Sequence, residues 1–235
     1  MKTASTTILF VLLSIVFLDA KAQNADCNGY FAYKQGTKFE LTCYDKKDKV
    51  STQLKYEVKK NVSSASKTSV FFYNETLDDK GELLAKGDYS VECRDGQIYA
   101  DVRNISSFAA PKTADVEMSF TGDKIIYPHN LKQGQKLADA NMQIKGGMKD
   151  VGLNLMNMNI SLTNRNVEGF ESVTTPAGTF DCVKISYDTD VKGGLLKFSG
   201  KTTEYLSKGI GLVKSESFDK KGKKSSSMLL TKLDR

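Results

Sequence analysis

Few residues of this chain occur in arrangements that could perform chemistry. His129 is the single histidine, and it lies within Tyr127-Pro128-His129-Asn130, a sequence typical of a surface turn. Serine–histidine catalysis would have to use this residue, and a histidine-based metal site needs more ligands than one. We therefore predict no catalytic histidine, no metal site and no cofactor.

The other catalytic motifs are incomplete. Ser64-Ala65-Ser66-Lys67 spells the S-x-x-K of penicillin-recognising enzymes, but neither of its partner motifs occurs in the chain. Gly209-Ile210-Gly211 lacks the third glycine of a dinucleotide fingerprint and is better interpreted as a bend or a tightly packed strand position. A glycosidase-like pair needs two carboxylates facing each other, which spacing cannot show; the candidates are Asp181, Asp188, Asp190, Glu204 and Glu216. We predict a non-enzymatic protein and keep a cryptic hydrolase as the third hypothesis.

Methionines crowd the middle of the chain. Methionine is flexible and polarizable, and it suits apolar surfaces that accept varied ligands. One interpretation is a hydrophobic groove for a lipid or similar small molecule. The other is gap-filling core packing. The candidate groove residues are Met118, Met142, Leu153, Met156 and Met158.

The N-terminus has the pattern of a cleavable signal peptide. Ile8 to Leu18 is apolar, and its eleven residues would span only about 16 Å as a helix, half of a bilayer core. Ala20-Lys21-Ala22 then supplies small residues at the positions that a signal peptidase reads. We predict a signal peptide over residues 1–22 and a single β domain over residues 23–235, with no membrane span in the mature chain. Cys27 follows the cut without a lipobox, so a lipoprotein is not expected and the protein is predicted to be periplasmic or secreted.

Charge and cysteine content limit the partners further. The formal net charge of +6 is spread among acidic residues, and the densest basic run, Lys220 to Lys224, fits a hairpin tip. No basic face studded with aromatic residues is visible, so nucleic-acid binding is not expected. The four cysteines, namely Cys27, Cys43, Cys93 and Cys182, allow three complete pairings after export. Cys43 and Cys182 fall mid-strand by pattern and could instead be small core residues.

Apolar residues alternate with polar ones over many short runs, which predicts antiparallel strands with one buried face. Three turns carry an aspartate followed three positions later by Gly or Asp, which is typical of a type I turn closed by a left-handed residue; they begin at Asp45, Asp78 and Asp219. The apolar face changes parity at Leu155-Met156, which indicates a β-bulge or a strand buried on both faces. One short helix is predicted around Leu131–Ala140.

Several segments in order along the chain resemble an exported, TapB-like domain-of-unknown-function family of Gram-negative bacteria. They are Cys27 with Gly36 to Glu40 and Tyr44 to Lys47, Tyr127-Pro128 with Leu131 to Leu137, Asn164 to Glu168, Val173 to Cys182, and Gly209 to Glu216. The resemblance implies a curved antiparallel sheet, similar to the half-barrels of periplasmic lipoprotein carriers. It also implies that Cys27 pairs with Cys93. It supplies no catalytic residue.

These observations predict an all-β protein built on a strongly curved antiparallel sheet, a half-barrel or β-roll with at most one or two short helices. The alternatives are a β-sandwich and a closed barrel. The leading functional hypothesis is a non-enzymatic periplasmic protein that binds a hydrophobic ligand or lipid in an apolar concavity. The alternative is an envelope accessory protein whose concavity is filled by its own residues and whose partner is another envelope protein.

Overall fold

The computed structural model describes residues 29–64, 66–100, 116–148, 153–193 and 196–235. Over these ranges the chain forms thirteen β-strands and no α-helix. The strands are β1 (Lys38–Asp45), β2 (Val50–Ser63), β3 (Lys67–Asp78), β4 (Leu83–Arg94), β5 (Gln97–Ala100), β6 (Val116–Gly122), β7 (Ile125–Pro128), β8 (Ala140–Met148), β9 (Leu153–Thr175), β10 (Gly178–Gly193), β11 (Leu196–Ser207), β12 (Gly211–Asp219) and β13 (Lys224–Asp234).

All thirteen strands belong to one antiparallel sheet in the order β6-β8-β9-β10-β11-β12-β13-β1-β2-β3-β4-β5-β7. The first and last strands of this order, β6 and β7, are not paired with each other, so the sheet is open. This confirms the predicted curved sheet over the β-sandwich and closed-barrel alternatives. The predicted signal peptide, residues 1–22, lies outside the described residues, and so do the first residues of the predicted domain.

Contacts across the sheet show that it curls strongly. β7 and β11 are eight positions apart in the sheet order, which in a flat sheet would separate them by about 38 Å. Nevertheless the Tyr127 hydroxyl on β7 donates to Glu204 on β11 over 3.1 Å. The chain also passes directly from Gly122, at the end of one outer strand, to Ile125, at the start of the other. The sheet is therefore bent into a half-barrel with its two outer strands brought close together.

The three predicted aspartate turns form as the sequence indicates. The Asp45 carboxylate accepts from the amides of Lys47 and Lys49 at 2.8 and 3.0 Å. Asp78 and Asp219 make the same pair of bonds in their own turns. The turns close with left-handed residues at Asp48, Gly81 and Gly222, whose φ angles are 57°, 83° and 75°. Because neighbouring strands run in opposite directions, all three hairpin tips lie at the same end of the half-barrel.

Two irregularities in β9 control which side chains face inward. Gly146 pairs with Met156 and Gly147 with Asn154, so Leu155 is an extra residue in β9. This is the bulge predicted from the change of parity. Asn164 has a φ of 55°, and the inward-facing positions change from even to odd numbers across it. Arg165 is therefore turned into the interior, where it is 1% exposed.

The helix predicted around Leu131–Ala140 is wrong. This segment is not helical but contains a turn at Gln133-Gly134. Its backbone pairs with β9: the Gly134 amide donates to the Val167 carbonyl over 2.8 Å and the Leu137 amide to the Arg165 carbonyl over 2.9 Å. Leu131 and Leu137 are both buried in this arrangement. Hydrogen bonds to β9 therefore satisfy backbone N–H and C=O groups that would otherwise have bonded within a helix.

The concavity of the sheet is partly filled by the chain itself. Tyr30, Phe31 and Ala32, which precede β1, are buried in the main core cluster together with residues from most strands. The segment is fixed at its start, since the Gly209 amide donates to the Gly29 carbonyl over 2.8 Å. The remaining open part of the concave face lies toward the hairpin tips. No helix suited to crossing a membrane occurs in the described part of the chain.

Candidate ligand-binding groove

A groove of about 510 Å³ lies on the concave face between β9 and β2. Strand register explains its composition, because residues opposite each other on neighbouring strands face the same side of the sheet. Tyr187, Thr202, Ser217 and Ser226 lie in one such row across four strands. Ile185, Glu204, Ser215 and Met228 lie in the next row. We call this feature the concave groove.

The concave groove has an apolar wall and a hydroxyl-rich floor. The apolar side chains come mainly from β9 to β13 and are Ile160, Leu162, Val191, Phe198, Leu212 and Met228. Hydroxyl groups connect the strands beneath them: the Thr202 hydroxyl lies 2.9 Å from that of Thr189 and 3.2 Å from that of Ser217. This composition suits a ligand with both an apolar part and hydrogen-bonding groups.

Glu204 is the one carboxylate among the described residues that line the concave groove. It is 3% exposed and accepts hydrogen bonds from the Tyr187 hydroxyl at 2.7 Å and the Tyr127 hydroxyl at 3.1 Å. Burial raises the pKa of Glu204, and the two tyrosine hydrogen bonds and the charge of Arg165 oppose that rise. Burial beside this carboxylate also raises the pKa of both tyrosines.

Arg165 joins β9, the third strand from one edge of the sheet, to β7 at the opposite edge. One guanidinium nitrogen, Nη1, donates to the Ala138 carbonyl at 2.7 Å and to the Ile126 carbonyl at 3.3 Å. The guanidinium also lies 5.0 Å from the centre of the Tyr127 ring. Its Nε and Nη2 atoms are buried and have no hydrogen-bond partner. Arg165 thus holds β7 and the 131–140 segment against β9.

A second, smaller cavity of about 90 Å³ adjoins the concave groove. Glu204 and Leu212 line both spaces. Four of its rings form two stacked pairs, Phe39 with Tyr56 and Phe72 with Tyr89, whose ring centres are 4.7 and 5.0 Å apart. Further aromatic side chains come from β7 and from the segment before β1. We call this space the aromatic cavity.

Two of the methionines predicted to form a groove, Met142 and Met158, are not among the described residues that line the concave groove. Met142 and Met158 are 4% and 1% exposed and belong to the main core cluster, beside the groove residue Ile160. The side chains of Met118, Leu153 and Met156 lie outside what the structure describes. By strand register Met118 and Met156 flank Gly146 on the same row. Whether these residues contact a ligand stays a prediction.

The remaining predicted residues show no reactive arrangement. Asp181 and Asp188 are exposed, and Asp190 and Glu216 pair with Lys192 and Lys214 at 2.9 and 3.0 Å. The described residues contain no cluster of His, Cys, Asp and Glu suited to a metal ion. The S-x-x-K motif includes Ala65, which lies outside the described residues.

The cysteines divide into two groups. Cys43 and Cys182 are free thiols, and burial raises the pKa of both, that of Cys182 to about 12. Cys93 is fully buried. Its predicted partner Cys27 lies outside the described residues, so the pairing stays a prediction.

Sequence reasoning considered Glu204 only as one of several carboxylates and did not identify Arg165. The left-handed Asn164 determines that Arg165 points inward. Asn tolerates that conformation better than most residues, but Asn before Arg is too common a pair to predict a bulge. Tyr127 and Tyr187 meet at Glu204 only through the curl of the sheet.

Comparison with known proteins identifies the fold class of the chain. The DUF3108-like family model matches residues 34–230. A crystal structure of a predicted exported protein with a YmcC-like fold from Bacteroides fragilis aligns with a TM-score of 0.76 and 24% identity, covering 89% of this chain and 100% of that one. A crystal structure of a predicted lipoprotein from Parabacteroides distasonis aligns with a TM-score of 0.75 and 25% identity, with the same coverage. Comparison with curated protein sequences gave no significant match.

These matches confirm the resemblance to a domain-of-unknown-function family with exported relatives, whereas the TapB-like name is not confirmed. One of the two similar solved structures is that of a predicted lipoprotein. This is weak evidence against the expectation that this chain is not a lipoprotein. Cys27, on which that expectation depends, lies outside the described residues.

Proposed function

We propose that this chain, which belongs to the DUF3108-like family, is an exported, non-enzymatic protein that binds an amphipathic ligand in the concave groove. The observation that carries the proposal is the groove itself: about 510 Å³, with an apolar wall, a floor of hydroxyl groups and one buried carboxylate. Protein interiors are close-packed, so a space of this size that side chains do not fill indicates a role beyond stabilising the core.

The apolar wall supports a ligand with an alkyl or acyl chain. Ile160 and Leu162 lie on β9, and Val191 and Phe198 face them from β10 and β11. Burying apolar ligand surface against such a wall is favourable by about 25 cal/mol per Å². The Thr202 hydroxyl already bonds those of Thr189 and Ser217. Because a hydroxyl has one donor and two acceptor positions, both Thr202 and Ser217 keep acceptor capacity for a polar part of the ligand.

Export is supported by the predicted signal peptide and by the two structural relatives, one a predicted exported protein and the other a predicted lipoprotein. A non-enzymatic role is supported by the groove lining. Among the described residues that line the groove, Glu204 is the only carboxylate, and the single histidine of the chain, His129, is not one of them. The described lining therefore lacks the histidine of a serine–histidine site and the second carboxylate of a glycosidase-like pair.

The proposal is tested by native mass spectrometry of protein isolated from the envelope of its own cell, followed by organic extraction. We expect a reproducible amphipathic adduct. Ser217→Trp, which places an indole in the groove, should reduce the bound fraction by about tenfold or more. Ser172→Trp makes the same substitution at an exposed position and should leave the adduct unchanged. A ligand-free mass that persists after envelope lipids are added would overturn the proposal.

The second candidate, an envelope accessory protein, is favoured by one observation. Phe170 is 58% exposed on β9 and lines a surface depression together with Phe218, where it offers an apolar contact to a partner protein. If the protein is free of ligand and Phe170→Ser abolishes its crosslinking to another envelope protein, this second function replaces the first.

A further inference from the structure

The aromatic cavity has the composition of a site for a positive group. Its two stacked ring pairs meet edge to face, since Tyr56 and Tyr89 are 6.0 Å apart at 90° and Phe39 and Phe72 are 6.5 Å apart at 83°. Aromatic rings carry negative potential on their faces and attract cations within about 6 Å of the ring centre. Seven of the described residues that line this cavity are aromatic.

Glu204 lies where the aromatic cavity and the concave groove meet. An ionised carboxylate has about four acceptor positions. The hydroxyl groups of Tyr127 and Tyr187 use one on each oxygen. The carboxylate therefore keeps acceptor capacity beyond its two tyrosine bonds.

Arg165 is the buried cation of this region, and it does not use that capacity. Its hydrogen bonds go to the carbonyl oxygens of Ile126 and Ala138. It stacks on the Tyr127 ring and makes no ion pair with Glu204. Burial raises the pKa of Glu204, and the charge of Arg165 opposes that rise and favours the ionised form, which is the form that binds a cation.

We propose that the aromatic cavity binds the ammonium end of an amphipathic amine, with Glu204 as its hydrogen-bond acceptor and the apolar part of the same molecule in the concave groove. This inference rests on the proposed function and names its ligand class. The volume of about 90 Å³ holds a group of a few heavy atoms. A primary ammonium donates charge-assisted hydrogen bonds to the carboxylate, whereas an alcohol lacks the charge and a carboxylate ligand is repelled.

Three probes with the same ten-carbon chain test the inference: decylammonium, decanol and decanoate. The chain has ten tyrosines and no tryptophan, so tyrosine fluorescence reports binding without another fluorophore. At neutral pH and below micelle-forming concentrations, we expect decylammonium to bind the wild-type protein at least about tenfold more tightly than decanol. Decanoate should bind most weakly.

The Glu204→Gln variant removes the charge and keeps one acceptor oxygen for a tyrosine hydroxyl, while its NH2 group can donate to the hydroxyl oxygen of the other tyrosine. We expect it to bind decylammonium and decanol within about threefold of each other. Glu216→Gln is the matched control, because it removes the same charge from the outward face of the neighbouring strand, where Glu216 pairs with Lys214. That variant should retain the preference for decylammonium.

The outcomes separate the two proposals. If no probe binds, both the groove proposal and the ammonium site fail. If the probes bind wild-type protein equally, or decanoate binds best, the groove stands and the ammonium site is overturned. If Glu204→Gln does not fold, the wild-type ratio decides alone, and a preference below about threefold overturns the inference.

Discussion

At the residue scale, the most unusual feature is a carboxylate buried against two tyrosine hydroxyls and near a buried arginine. Burying an ionised carboxylate is costly unless hydrogen bonds and charges compensate it. Here the raised pKa of Glu204 indicates that the compensation is incomplete. A protein retains such a group where it contributes specificity or binding, which agrees with its place between the groove and the aromatic cavity.

The raised pKa of Glu204 predicts a pH effect on stability. In the unfolded chain a glutamate titrates near 4.5, and in the folded protein it titrates higher. The folded state therefore binds the proton more tightly, so this group stabilises the fold at low pH and that stabilisation is lost as pH rises through the folded pKa. We therefore expect the free energy of unfolding of the wild type minus that of Glu204→Gln to decrease from pH 4.5 to pH 8, with both values measured by urea unfolding.

Glu216→Gln serves as the control for this measurement, since it changes an outward-facing glutamate. Its difference from wild type should show no such decline over the same pH range. Parallel profiles for wild type and Glu204→Gln would mean that the carboxylate is not desolvated in the folded protein.

A second residue-scale prediction concerns Asn164, whose φ of 55° turns Arg165 inward. Asn164→Gly and Asn164→Ala both remove the hydrogen bond that its side chain donates to Asp188 over 2.7 Å. Because glycine adopts the left-handed conformation without strain, Asn164→Gly should be more stable than Asn164→Ala by about 1 kcal/mol in chemical unfolding. At the exposed strand position Ser172, by contrast, Ser172→Ala should be more stable than Ser172→Gly. An Ala variant at residue 164 as stable as the Gly variant would contradict the assigned bulge.

At the element scale, the three aspartate turns fix the hairpin tips at the open end of the half-barrel. The amides of Lys223 and Lys221 hydrogen-bond the Asp219 carboxylate and hold its pKa below its usual value of 3.8. A lowered pKa means that the bonds stabilise the fold above that value and that the stabilisation is lost as pH falls through the folded pKa.

We therefore expect Asp219→Ala to lower the melting temperature at neutral pH, with the difference from wild type shrinking as the pH falls below 3.8. Thermal unfolding followed by circular dichroism measures it. Asp79→Ala changes an exposed neighbour of the turn aspartate Asp78 and should have little effect at any pH. A destabilisation by Asp219→Ala that does not depend on pH would argue against an ionised turn acceptor.

The element scale also shows which features the sequence could predict. Turn chemistry and apolar alternation act over a few residues, so the hairpins at Asp45, Asp78 and Asp219 and the bulge at Leu155 were predictable. The helix predicted near Leu131 was wrong because those residues pair with β9, far along the chain. Glu204 and Tyr127 are 77 positions apart, and no local pattern indicates that they meet.

At the scale of the whole molecule, the curl of the sheet divides the concavity into a filled part and an open groove. The residues before β1 fill one part, which agrees in part with the expectation of a self-filled core. The concave groove occupies the other. This division explains why Met142 and Met158 became core residues while Met228, which the sequence did not single out, lines the groove.

The cysteines give a prediction for the molecule as a whole. Cys43 and Cys182 are free thiols, so pairing of Cys27 with Cys93 leaves two thiols to react. Alkylation of the unfolded, unreduced protein should add two labels by intact mass, and alkylation after reduction should add four. Native protein should react slowly, because burial raises the pKa of both free thiols. Four labels without reduction would contradict the pairing.

The central claim is that the concave groove, and not the methionine-rich core, receives an amphipathic ligand. Methyl NMR of methionine-labelled protein during titration with decylammonium and decanol tests it most directly, with resonances assigned through single Met→Leu variants. The account predicts that the Met228 methyl resonance shifts saturably with at least one probe, whereas those of Met142 and Met158 shift much less. A Met228 resonance that stays unchanged at saturating concentrations of both probes, or that moves less than those of Met142 and Met158, would contradict the claim.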